Sequence, residues 1–162
     1  MRKDIQIRIG TDMDLPFLSD MLYEAIYIPE GEPRPSREIV NDSNMAKYIQ
    51  DWGREGDIAL IATEHNKAVG AIWVRLFTDD YKTYGYVDSQ TPIISMAVSS
   101  AYRGLGVGNT LLIELKKLVK EKGYHALSLS VDPNNPALRL YERHGFVKVG
   151  VDGTSWDMKV TL

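Results

Sequence analysis

The chain has 162 residues, 44% of them apolar and 25% charged, with a formal net charge of −3. That length suits a single domain, residues 1–162, with one sizeable core, and so small a net charge argues against nucleic acid or an anionic membrane surface as partner. Cysteine is absent, which excludes disulfides, thiolate catalysis and cysteine-based metal sites.

The opening "MRKDIQIRIG" lacks the apolar core of a signal peptide. No apolar run approaches the roughly 18 residues of a membrane span, so a cytoplasmic location is expected. Ile5, Ile7 and Ile9 alternate with polar residues and predict a short strand. Thr11, with Asp14 three positions on, predicts a helix start, and Leu15, Leu18, Leu22, Ala25 and Ile26 keep helical spacing after it. "IPEGEPRPS" (28–36) must be irregular, because prolines and a glycine interrupt it. A second helical region, in one or two pieces, is expected from Ser36 toward Trp52. "DIALIAT" and "AVGAIWVRLF" read as strands joined at "EHNK" in a hairpin. "TDDYKTYGYVDSQ" is a polar, tyrosine-rich loop, and "PIISMAV" (92–98) is another strand.

Beyond residue 110, Leu111, Leu112, Leu115, Leu118 and Val119 form the apolar stripe of a helix that Gly123 ends. Lys116, Lys117, Lys120 and Lys122 read as its solvated face. "ALSLSV" alternates, with Leu127, Leu129 and Val131 on one face, and "DPNNP" turns the chain. A short helix carries Ala137, Leu140, Tyr141 and His144. Two strands close the chain, the second with Trp156, Met158, Val160 and Leu162 alternating. This order predicts an α/β (α+β) mixed sheet with helices on its faces. The three histidines, His65, His125 and His144, are scattered and make no metal site.

"YRGLGVGNT" (102–110) sets three glycines on alternate positions behind Arg103, between a strand and a helix. Free main-chain N–H groups and the helix dipole make such a junction an anion site, and glycine lets a phosphate approach the backbone closely. A Walker A loop would need lysine after Gly108, where Asn109 stands. A G-x-G-x-x-G fingerprint from Gly104 fails at Asn109. Arg-x-x-Gly-x-Gly fits, through Arg103, Gly106 and Gly108.

"MAVSSAYRGLGVGNTLLIELKKLVKEKG" followed by "LSLSVDPNNPALRLYERHGF" resembles the GNAT superfamily of acetyl-CoA-dependent N-acyltransferases, closely over residues 92–149 and more loosely upstream. The resemblance implies the GNAT fold: a mixed central sheet of six to seven strands, about four flanking helices, and two splayed strands forming an acetyl-CoA cleft. It implies that main-chain N–H groups of Arg103, Gly104, Leu105, Gly106, Val107, Gly108 and Asn109 hold the CoA diphosphate. It further implies that Met96, Ala97 and Val98 pair with the pantetheine arm, with the Val98 N–H polarising the thioester carbonyl. Asn134 would contact the same arm, beside the small Ala137, and Tyr141 would serve as general acid to the departing thiolate.

The acceptor implied is a primary amine of a small molecule or peptide, and a homodimer is an assembly common in the family. A base must take the amine's proton. Glu30 and Glu32, in the loop bordering the family's acceptor site, and Asp88 and Ser95 are candidates, whereas Glu142 should face solvent. Tyr81, Tyr84 and Tyr86, with Asp79, Asp80 and Asp88, suit a cationic amine, while Arg34 and Arg37 suit an acidic one. A catalytically silent CoA-binding module of the same fold is the alternative.

Overall fold

The computed structural model describes residues 4–162. It holds seven strands, β1 (Ile5–Ile9), β2 (Ile58–Glu64), β3 (Lys67–Arg75), β4 (Ile93–Val98), β5 (Ala126–Val131), β6 (Val147–Asp152) and β7 (Ser155–Thr161), and four α-helices, α1 (Leu15–Glu24), α2 (Ser43–Ala46), α3 (Val107–Glu121) and α4 (Ala137–Arg143). The strands form one sheet in the order β1-β2-β3-β4-β5-β7-β6. All neighbours are antiparallel except β4 and β5, which run parallel. This is the mixed, helix-flanked sheet that the element order predicts.

Local chemistry sets most of the boundaries. Thr11 and Asp14 form a reciprocal capping box, but over a single 3-10 turn that leads into α1 rather than over the helix itself. Asp14 also takes a fork of two 2.8 Å bonds from Arg8, which draws its carboxyl below the ordinary range. The β2–β3 hairpin turns on His65 and Asn66, both at positive φ, the geometry of a tight turn that follows the strands' twist. Between residues 36 and 52 the helical region is shorter and more broken than expected. Ser36 caps a 3-10 turn at Arg37–Asn41, Asp42 then leaves helical geometry and restarts the chain as α2, and turns follow.

Two apolar layers sandwich the sheet. On one face, α3 buries Leu111, Leu112, Leu115 and Val119 against Leu60, Ile72, Ile94, Leu127 and Met158. On the other, Leu18, Met21 and Leu22 of α1 cover Ile61, Ala71 and Trp73. The alternation in β5 predicts one buried face, yet both are covered. Ser128 is fully buried, and its hydroxyl donates to the Gly85 carbonyl at 2.8 Å. The 78–90 loop folds back across this strand. At the sheet's outer edge, Val147, Val149 and Val151 of β6 stay more than half exposed.

A buried ion pair fastens the 47–57 segment. The Arg75 guanidinium donates to both Asp57 oxygens at 2.9 and 2.8 Å, and to the Lys47 and Gln50 carbonyls. Asp57 in turn accepts from the Gly53 and Arg54 N–H groups. Both side chains are 1% exposed. Removing one member leaves a buried, uncompensated charge. Arg75→Met should cost about 3–5 kcal/mol of unfolding free energy, measured by urea denaturation. A change below about 1 kcal/mol would show that the pair does not hold this segment.

Candidate active site

The site begins with a ladder that stops. Gly70 lies opposite Val98 in the β3–β4 register, and the Ser99 N–H donates to the Val69 carbonyl at 2.8 Å. Antiparallel pairs alternate between bonded and unbonded, so the Met96 and Val98 amides point away from β3, toward β5. There they meet no strand. β4 and β5 register at one position only, Ile93 with Ser128, with the Ser128 N–H bonded to the Pro92 carbonyl at 3.0 Å. Beyond it the strands part, and the amides expected to bind a thioester arm face the gap. The same parity exposes Met96 N–H as fully as Val98 N–H. The side chains of Met96 and Val98 pack on the α3 face, and Ala97 on the other.

The glycine loop follows directly. Gly104 and Gly106 hold positive φ, 74° and 84°, where a side chain is strained. Gly106 caps α3 with no side-chain bond. The first helical bond runs from Thr110 N–H to the Gly106 carbonyl at 3.1 Å, so the N–H groups of Val107, Gly108 and Asn109 precede any intrahelical acceptor. An added Cβ at Gly104 would meet nothing within 4 Å, so the loop's surface is bare backbone. These N–H groups and the dipole of a 15-residue helix fit a diphosphate. Leu105 is partly buried beside them.

Arg103 stands at the loop entrance, where its side chain is held by two partners. Its guanidinium bonds the Val98 carbonyl at 3.0 Å through Nε and Glu24 at 3.1 Å through Nη2. It ties the end of β4 to α1, and it shares the Glu24 carboxylate with Arg34, 3.7 Å away.

Tyr141 is buried in the apolar cluster that also packs Met96 and Val98, with its ring edge-on to Phe146 at 5.8 Å. Burial pushes its phenol up to about 12, so the proton stays on at neutral pH. His144 holds this helix to the loop: its Nε2 lies 2.7 Å from Asn109 Oδ1, and its carbonyl accepts from Lys116 Nζ at 3.0 Å. Burial, and then the charges of Lys116 and Arg143, lower the imidazole's pKa. Asn134 is exposed in the turn before α4, with its N–H on Asp132 Oδ1, and Ala137 opens the helix.

The proposed acceptor residues scatter. Glu30 and Glu32 are exposed in the α1–α2 connection. Asp88 caps a turn, accepting from Gln90 N–H at 2.8 Å and the Thr91 hydroxyl at 2.9 Å. Burial raises its pKa, but those bonds and Lys159 outweigh it and leave the group low. Tyr84 lines a pocket of about 300 Å³ with Gly85, Tyr86, Asp152 and Asp157. Asp157 is absent from the sequence-level expectations. Its one signal there is its position on the polar side of the alternating stretch "SWDMKV".

The model of the acetyltransferase (GNAT) family matches residues 22–146. Over 67% of its length the chain is 32% identical to the SPbeta prophage-derived uncharacterized N-acetyltransferase YokL of Bacillus subtilis, spanning 58% of that protein. Over 71% of its length it is 27% identical to the mycothiol acetyltransferase of an Arthrobacter species, spanning 32% of it. The chain therefore spans between a third and three fifths of these curated relatives. The PaiA N-acetyltransferase of Thermoplasma acidophilum, solved with coenzyme A, has the same fold. Its TM-score is 0.71 at 20% identity, over 98% of this chain and 99% of that one. With an uncapped glycine-led helix beside two parted strands, and a family match covering most of its length, the chain belongs to the acetyltransferase (GNAT) family.

Proposed function

We propose that the protein transfers an acetyl group from acetyl-CoA to a primary amine of a small molecule or peptide. The observation that carries this reading is the unpaired β4 edge beyond Ile93, set directly before the uncapped start of α3. One feature suits an extended amide-bearing arm and the other a diphosphate, in the order in which coenzyme A presents them.

Acetyl-CoA, when bound, supplies a thioester whose C–S bond breaks as the amine nitrogen forms a C–N bond, leaving the electron pair on sulfur. The chain's part is binding, orientation and proton control. The loop amides from Gly104 to Asn109 hold the diphosphate, the expected Arg103 N–H being bonded instead to the Ser100 carbonyl at 3.4 Å, and the main chain from Met96 to Val98, with Asn134 and Ala137, flanks the arm. The Met96 or Val98 N–H faces the carbonyl oxygen as it gains charge, a preorganised donor. Arg103 orients this strand end by holding the Val98 carbonyl.

Tyr141 enters protonated. A phenol near 12 facing a thiolate of ordinary acidity, about 8.5, makes complete proton transfer cost about 5 kcal/mol. Its first contribution is therefore a hydrogen bond to the leaving sulfur, and transfer follows only as the phenol's surroundings become more polar.

Two substitutions and one assay test this. Tyr141→Phe should lower turnover by about 10- to 10⁴-fold while leaving coenzyme A affinity, by calorimetry, nearly unchanged. An unaltered rate at saturation would remove Tyr141 from the mechanism. Gly106→Asp combines positive-φ strain with a negative charge at the diphosphate amides, and coenzyme A binding should vanish in the same titration. The full reading is tested by following free thiol from acetyl-CoA across a panel of amines. Coenzyme A binding without thiol release from any amine would leave a silent binding module.

A further inference from the structure

We propose that the pocket between residues 82–86 and the β6–β7 hairpin receives a cationic primary amine, and that the Asp157 carboxylate holds its ammonium group and accepts the proton it must lose. This rests on the acetyltransferase reading above.

Among the described residues, two buried side-chain polar atoms have no hydrogen-bond partner of ordinary geometry, Thr83 Oγ1 and Asp157 Oδ1, although the Tyr48 hydroxyl approaches Thr83 and the Gly85 N–H approaches the Asp157 carboxylate. Both line this pocket. A buried, unmatched acceptor is costly, the more so when charged, and is kept where something else completes it. A ligand able to satisfy a carboxylate oxygen and a hydroxyl together carries N–H donors.

The placement agrees. Met158 and Val160 face α3, so Asp157 faces the other side of the sheet. The thioester arm and its diphosphate cradle belong to the α3 side, which leaves Asp157 on the side open to a second substrate. It stands opposite Ser130 of β5, at the level where β4 and β5 have parted. In the order β4-β5-β7, β7 lies one strand spacing, about 4.8 Å, from β5, and β4 lies farther off where it has parted from β5.

The opposite wall is rigid. Gly85, at φ 88°, presses its backbone on β5 so closely that an added Cβ would lie 2.9 Å from the Leu129 carbonyl carbon. The buried Ser128 hydroxyl holds the Gly85 carbonyl.

The charge balance favours a cation. The groups facing Asp157 are Lys82, Tyr84 and Tyr86 of the loop, Tyr48 beyond α2, Asp152 of β6, and Lys159 two positions along β7. Tyr48 is buried with its phenol pushed up to about 12, hence neutral. The Tyr86 hydroxyl donates to Asp79 at 2.7 Å. Two carboxylates and aromatic faces thus meet Lys82, which lines the pocket and is exposed, while the charge of Lys159 acts on Asp88. Burial, and then Asp152, hold Asp157 above the usual carboxylate range against the Gly85 N–H, which makes it a stronger base than a solvated aspartate. The protons balance: one leaves the ammonium for Asp157 and then water, and the nitrogen's second excess proton ends on the coenzyme A sulfur.

The test uses the whole chain, with benzylamine and 1,4-diaminobutane as probes. Amine binding to the coenzyme A-loaded protein is followed by calorimetry, and thiol release is followed across pH. In wild type, kcat/KM should fall on the acid side with a midpoint above the free-carboxylate value of about 3.9. Asp157→Asn should lower kcat/KM for the amine by about 10²-fold and abolish that acid limb, with coenzyme A affinity unchanged as proof of folding. Thr83→Val should weaken amine binding several-fold and keep the limb.

Wild-type kcat/KM and pH profile in Asp157→Asn would overturn the proposal, as would failure of both amines to bind at millimolar concentration. Loss of coenzyme A binding in wild type would instead overturn the acetyltransferase reading. Amine binding that depends on Asp157, without thiol release, would sustain the pocket and remove the enzyme.

Discussion

One register contact, Ile93 with Ser128, joins β4 to β5, and the molecule's chemistry depends on the pairing not continuing. A parallel ladder carried on to Val98 would consume the Met96 and Val98 amides and close the sheet between its two faces. Neither strand loses its order on parting. β4 keeps its full ladder to β3, from Arg75–Ile93 to Gly70–Val98, and β5 keeps its own to β7, from Ala126–Thr161 to Val131–Trp156. The gap is therefore walled by two stiff hairpin-like ribbons. Unpaired main chain is tolerated there because each strand is fully bonded on its other side.

The elements around the gap are tied by a few polar contacts. Arg103 joins β4 to Glu24 of α1, and His144 joins α4 to Asn109 in the first turn of α3. With Glu24 shared between Arg103 and Arg34, the electropositive character of the loop comes from its oriented main-chain dipoles together with the Arg103 guanidinium. The main-chain part of such a cradle does not depend on rotamers, and it keeps its geometry when the anion leaves.

The features legible in the sequence were local ones. Positive φ at Gly104 and Gly106, the apolar stripe of α3 and the tight turn at His65–Asn66 are decided within a few residues, and the glycine pattern could be read directly. Where tertiary contacts decide, reading failed. The second covered face of β5 comes from a loop forty residues earlier in the chain, anchored by Ser128 to Gly85, and alternation alone cannot announce it. Helical spacing over 36–52 overstated the helix because Ser36 and Asp42 each start a new turn and Arg75 draws the Lys47 and Gln50 carbonyls inward. An arginine at the end of the apolar run "AVGAIWV" was the available sign that a buried counter-charge existed. Asp157 was illegible for the same reason: its oxygen is isolated only once β7, β6 and the 82–86 loop have met.

The family match ends at Phe146, before the hairpin that carries Asp152 and Asp157. The cradle residues from Met96 to Asn109 lie inside it. The wall built from β6 and β7 is tied to the gap through β7, which pairs with β5 from Ala126–Thr161 to Val131–Trp156, while β6 pairs with β7 alone. A change in β6, the outermost strand, therefore reaches the parted strands only through β7, so this edge of the sheet tolerates rewriting better than β5 or β7 does.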